Sequence, residues 1–146
     1  MYERLLLALD GSPPSERAVP HAVALAKAFK SELHLIRVVP LAVPAGPAES
    51  APVSAIAALT AEADEAAAYL TSVCAQLSAE GIACQISVRS GDVADEVLHQ
   101  ATEMDADLIV MSTHGRSGLG RWVYGSVADR ILRQAETPVL LVRATE

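Results

Sequence analysis

Val110-Met-Ser-Thr-His-Gly-Arg-Ser-Gly-Leu-Gly-Arg-Trp-Val-Tyr-Gly-Ser-Val-Ala-Asp129 passes from an apolar run, through a glycine-rich loop, into a segment of helical spacing. Gly115, Gly118, Gly120 and Gly125 free the backbone to take positive φ and to turn its N–H groups inward. Val127, Ile131 and Leu132 then recur as one face of an amphipathic helix opened by Gly125-Ser126. A loop that feeds a helix start leaves unpaired amide donors at the positive end of the helix dipole, which suits phosphate. Arg116 and Arg121 add positive charge. The loop is not a Walker loop, since no Gly-Lys-Ser/Thr is present. Nor is it a dinucleotide fingerprint, because Val123 stands where the third glycine belongs and the loop follows the fourth strand rather than the first.

Outward from this stretch, apolar strand patterns alternate with helical ones. Arg4 to Asp10 is a short unbroken apolar run, as a strand buried on both faces requires. Asp10-Gly-Ser-Pro-Pro turns the chain, with Ser12 as the expected helix cap. Val19, Val23, Ala26 and Phe29 keep helical spacing up to Lys30, and Pro20 is expected to kink that helix or delay its regular part. Leu33 to Val39 is the second strand, and Pro40 to Pro52 reads as a surface loop. Ser54 is expected to cap a long helix with Ile56, Leu59, Ala63, Ala66, Leu70, Val73 and Leu77 on its apolar stripe, stopped by Gly81. Ile82 to Arg89 alternates like a half-exposed strand. Asp92 caps the next helix, which buries Val97, Leu98 and Ala101. Asp107 to Ser112 is the fourth strand, about Ser126 to Gln134 the last helix, and Pro138 to Arg143 the fifth strand.

The order β-α-β-α-β-α-β-α-β gives a single α/β domain over residues 1–146, an open parallel sheet with helices on both faces. The alternating third strand belongs at an edge, and strand order 3-2-1-4-5 follows. It puts a switch point between the first and fourth strands, where open α/β sheets bind ligands beyond the strand C-termini. Asp10 and the Ser112–Ser126 loop both reach that crevice.

Bulk properties exclude several classes. Hydrophobic residues make up 51% of the 146 and aromatics only 3%, so an aliphatic core is expected. The formal charge of -7 and the absence of any basic run argue against nucleic-acid binding. No segment is apolar for long enough to span a bilayer, and Met1-Tyr-Glu-Arg enters a strand with no signal peptide. Cys74 and Cys84 lack metal-ligand spacing and are expected to be small buried apolar residues in a reducing cytoplasm.

Asp10-Gly-Ser, Asp107-Leu-Ile-Val-Met, Thr113-His-Gly-Arg-Ser-Gly, Gly125-Ser-Val-Ala and Pro138-Val-Leu-Leu-Val together resemble the universal stress protein family over the whole chain. Nucleotide-binding members carry G-x2-G-x9-G-S/T. Gly115 and Gly125-Ser126 match its second half, while Ser112 stands at the first glycine and resists any positive φ needed there. The resemblance implies an adenine nucleotide alpha hydrolase-like fold with ATP, carrying Mg²⁺, across the switch point. Asp10 would lie near the ribose or adenine, with Leu9 beside it. Backbone around Ala8 and Val38 would form the adenine pocket, within reach of Met111. Ser112, Thr113, His114, Gly115, Arg116, Ser117 and Gly118, with Gly125, Ser126 and Val127, would hold phosphates and ribose. It also implies a homodimer joined along Val139, Leu140, Leu141 and Val142, which fits the hazard of an uncovered apolar edge strand.

Three functions stay open at this level. The first is a cytoplasmic ATP sensor or regulator in stress response. The second is slow ATP hydrolysis or phosphate transfer assisted by Asp10 or His114, for which no further metal-holding carboxylate is evident. The third is a nucleotide-independent dimeric interaction protein. Trp122 and Tyr124 are expected to pack the loop onto the body, while His21, His34 and His99 show no ligand spacing.

Overall fold

A computed structural model of the chain describes residues 1–41, 53–113 and 125–144. Its elements run β1 (Arg4–Ala8), α1 (Pro13–Glu16), α2 (Val19–Phe29), β2 (Glu32–Val39), α3 (Val53–Ala79), β3 (Cys84–Ser90), α4 (Val93–Glu103), β4 (Leu108–Ser112), α5 (Ser126–Gln134) and β5 (Val139–Val142). The five strands form one parallel sheet in the order β3-β2-β1-β4-β5. β1 is central, with Leu6 in register with His34 on one side and Ile109 on the other.

Side chains alternate across this sheet and separate two cores. Leu5, Leu7, Leu33, Leu35, Leu108 and Val110 meet Ala22 and Ala26 of α2 and Leu70 and Leu77 of α3. On the other face Leu6, Ile36, Val38, Ile109 and Met111 meet Ala94, Val97 and Ala101 of α4 and Ala128 and Ile131 of α5. Burial of β1, β2 and β4 on both faces explains their unbroken apolar runs, whereas edge strand β3 leaves Ile86 partly exposed. His34 is held within this sheet, its Nε2 2.8 Å from Ser87 Oγ of β3.

Local chemistry sets most boundaries. Ser12 Oγ accepts from the Ser15 amide and caps α1. Pro20 lies in the first turn of α2, so it delays the helix instead of kinking it. α2 stops at Lys30, which takes a left-handed conformation (φ 56°), and Phe29 turns out to solvent against the edge of Tyr2. Asp92 Oδ1 accepts from the Asp95 amide at 3.0 Å and caps α4, as its place before an apolar face predicts. Arg130 of α5 reaches Asp92 and Asp95 at 2.7 and 2.5 Å and clamps the two helices.

Four readings need correction. α3 begins at Val53 and so contains Ser54, the expected cap, within its first turn. Ile56 is 59% exposed, because the helix starts before it reaches the sheet and only its later turns, at Ala66, Leu70 and Leu77, are covered. Leu132 is also largely exposed, beside fully buried Ile131. Cys74 and Cys84 are free and half-buried against the α3 side of the core. Burial, then the neighbouring Cys74 thiol, push Cys84 far above the usual thiol range. Among the described residues no helix is long and apolar enough to cross a membrane.

Candidate functional site

A cavity of about 340 Å³ opens beyond the C-terminal ends of the inner strands. Its walls come from four parts of the chain: Ala8, Leu9 and Asp10 after β1, Arg37 and Val38 of β2, Met111 to Thr113 at the end of β4, and Gly125 to Ala128 at the start of α5. This is the switch point between β1 and β4, where the neighbouring crossovers run to opposite faces of the sheet. Its lining is largely apolar (Ile36, Val38, Val97, Met111), with polar groups at Asp10, Ser15, Arg37, Ser112, Thr113 and Ser126. A volume above ~300 Å³ with few convergent polar groups is that of a small-molecule site.

On the β1 side, Asp10 Oδ1 accepts from the Ser12 amide at 2.9 Å and the Ser12 hydroxyl at 2.5 Å. The Asp10 amide in turn donates to Ser15 Oγ at 3.3 Å. Asp10 therefore builds the turn into α1 as well as lining the cavity. Gly11 takes φ 83° in that turn, a conformation that a side chain would strain.

On the α5 side, Gly125 is the N-cap residue, and among the described residues no side chain caps the helix. Its own amide donates to Thr113 O at 3.0 Å, so this N–H does not face the cavity. Among the described residues no partner takes the amides of Ser126 and Val127, which lie one and two positions into the helix. Gly125 has φ −52°, not the positive φ expected of it. Glycine is needed there for closeness, since a Cβ would stand 3.2 Å from Thr113 O. Ser112 ends β4 in extended conformation, in register with Val142, so its place at the first motif glycine demands no positive φ. Thr113 Oγ1 accepts from the Ala144 amide at 3.0 Å and fastens the end of β4 to the chain after β5.

Of the residues expected at the site, Ala8, Leu9, Asp10, Val38, Met111, Ser112, Thr113, Gly125, Ser126 and Val127 line this one cavity. His114, Gly115, Arg116, Ser117, Gly118, Arg121, Trp122 and Tyr124 lie outside the described residues, as does the 42–52 part of the second loop. Sequence reading missed Ser15, Glu62, Val93 and above all Arg37. A single arginine inside the apolar run Leu33 to Val39 was the available signal. Its guanidinium carbon sits 5.7 Å from the centre of the Tyr69 ring. Burial, followed by the bond to Glu16, raises the Tyr69 hydroxyl far above the usual phenol range, so it stays a donor. Among the described residues no group of three or more His, Cys, Asp or Glu is placed to hold a metal ion.

Comparison with known proteins gives the family and the fold. The profile of the universal stress protein family matches residues 1–143. The chain is 35% identical to Universal stress protein MJ0531 of Methanocaldococcus jannaschii over 144 residues, covering 98% of this chain and 83% of that one. Its fold is similar to universal stress protein UspA from Lactobacillus plantarum, with TM-score 0.87 at 22% identity, covering 97% of this chain and 98% of that one. A crystal structure of a universal stress protein in complex with cAMP is 26% identical, with TM-score 0.68, covering 99% and 98% of the two chains.

Proposed function

The chain belongs to the universal stress protein family, and on that premise we propose that it is an adenine-nucleotide-binding regulator of stress response whose ligand is ATP. The observation that carries this reading is the open switch-point cavity ending on the uncapped first turn of α5. Backbone amides and the helix dipole offer phosphate a fixed seat there, with no capping side chain among the described residues. The apolar floor at Val38 and Met111 suits a purine face, and Asp10 suits ribose hydroxyls. The cAMP complex of a relative supports the adenine nucleotide class.

Magnesium would arrive on the phosphates. It takes one or two protein ligands beside phosphate oxygens and water, and Ser126, at the start of α5, is an oxygen-bearing side chain at the phosphate end of the lining. Binding in this cavity joins α1, β2, β4 and α5 through one ligand and so shifts the population of any surface those elements share. In the same reading the protein works in the cytoplasm as a homodimer along β5, an edge strand with Val139, Leu140 and Leu141 half-exposed.

Titration calorimetry with ATP, AMP and cAMP, with and without magnesium, tests the proposal, together with mass analysis of any nucleotide released from denatured protein. Saturable binding of ATP at one site per chain is expected. No heat with any adenine nucleotide, and none released, would overturn it.

A further inference from the structure

Arg37 is 4% exposed, yet it lines the cavity. It sits near the C-terminal end of β2, stacked on the Tyr69 ring, and that ring is fixed by the Tyr69 hydroxyl donating to Glu16 Oε1 at 2.7 Å. Among the described residues no carboxylate lies within ion-pairing distance of the guanidinium, and none of its N–H groups finds an acceptor. An arginine has five donors and no acceptor. Buried donors without acceptors are rare, because each forfeits the hydrogen bonds it made to water. The guanidinium is thus buried beside the cavity, held over the Tyr69 ring and without an acceptor among the described residues.

We propose that Arg37 is a ligand contact whose N–H groups take acceptor atoms on the nucleoside part of the nucleotide. This rests on the nucleotide reading above and adds the residue that reads the end of the ligand away from its phosphates. Charge decides which end. The wall that holds Arg37 also carries the carboxylates of Asp10 and Glu62, which repel phosphate but accept from ribose hydroxyls. The opposite wall offers Val93, Val97, Met111 and the positive end of α5, with no carboxylate among its described lining residues. A nucleoside has both kinds of group that the Arg37 wall demands: hydroxyl donors for the carboxylates and ring-nitrogen acceptors for the guanidinium. The two walls therefore orient the ligand, phosphate to α5 and base to β2.

Calorimetry on R37M and R37K with AMP and with ATP tests the contact. Both nucleotides should weaken by the same factor in R37M, about tenfold or more, as for one charge-assisted hydrogen bond. R37K keeps the charge but loses the planar fork, and should remain weaker than the parent for both. The ligand-free R37M protein should unfold at a higher temperature, because a buried unpaired charge has been removed. A larger loss for ATP than for AMP would place the guanidinium on phosphate and overturn the proposal. So would unchanged affinity in R37M, full affinity in R37K, or a lower unfolding temperature in the ligand-free variant. If the parent protein binds neither nucleotide, the nucleotide reading fails and this contact falls with it. If the parent binds and R37M binds equally, the contact alone is refuted.

Discussion

The amide of Gly125 donates to the carbonyl of Thr113 at 3.0 Å, and this bond fixes where α5 starts relative to the end of β4. The two backbones approach so closely that a Cβ on Gly125 would stand 3.2 Å from the same carbonyl oxygen. That distance can be absorbed only by a shift of a few tenths of an ångström in one backbone or the other. The uncapped first turn of α5 begins at the next residue, so any such shift moves the amides offered to the ligand.

Gly125→Val should therefore abolish ATP binding while leaving the fold intact. A β-branched residue adds bulk at the Thr113 carbonyl and toward the cavity rim, which Gly125 lines. An error of about 1 Å at a positioned donor is enough to lose most of its effect. Calorimetry should show no ATP binding, with the circular dichroism spectrum unchanged. Full-affinity binding by the valine variant would mean that the phosphate seat lies elsewhere.

α3 offers a matched pair of core and surface positions. Leu70 is fully buried against the sheet, whereas Ile56 near the helix start is 59% exposed. Leu70→Ala should cost about 3 kcal/mol, the transfer of its methyl groups plus the cavity left behind. Ile56→Ala should stay within about 0.5 kcal/mol of the parent, as exposed positions do. Urea unfolding at pH 7 compares the two, and equal losses would mean that the early turns of α3 are covered in solution.

Asp92 unites two contacts at the α4–α5 junction: it caps α4 and accepts from Arg130. Its bond from the Asp95 amide, more than the arginine, holds its carboxyl below the usual aspartate range. Asp92→Ala should cost about 1 kcal/mol, chiefly the cap, since half-exposed ion pairs add little. Because the folded pKa is depressed, this contribution is complete above the unfolded value and disappears as pH falls through the folded one. The difference between parent and variant should therefore be full at neutral pH and shrink as acid takes the pH below the usual aspartate range, in denaturant titrations across that interval.

How much of this was legible in sequence depended on whether the cause was local. The caps at Ser12 and Asp92 and the start of α5 at Ser126 follow from residue types next to one another in the chain. Strand order followed from the contrast between the unbroken run in β1 and the alternation in β3, a direct consequence of two-faced and one-faced burial. Ile56 was misplaced because helical periodicity shows which side of α3 is apolar but not where the sheet beneath it ends. Arg37 was missed for a related reason. Its meaning depends on Tyr69 and Glu16, which reach it from α3 and α1 only after folding. Gly125 lies in the cavity lining, but the expected reason for it was wrong, since the glycine serves a close approach rather than a positive φ.

His34 supplies the last prediction. It stands in β2 with its ring nearly buried and Nε2 2.8 Å from Ser87 Oγ. Burial lowers its pKa from the usual histidine value, against the weaker upward pull of the Glu32 carboxylate. The folded protein therefore resists protonation at a pH where the unfolded chain accepts it readily. With the folded pKa below the unfolded one, the unfolded state binds more protons between the two, so stability rises with pH across that interval. Acidification from neutral pH should begin to weaken the fold near pH 6.5, and this contribution should level off once the folded-state pKa is passed. His34→Gln keeps a side chain able to bond Ser87 but carries no titration. It should flatten the dependence just below about pH 6.5 in urea unfolding, whereas an identical slope in parent and variant would assign the acid sensitivity to other groups.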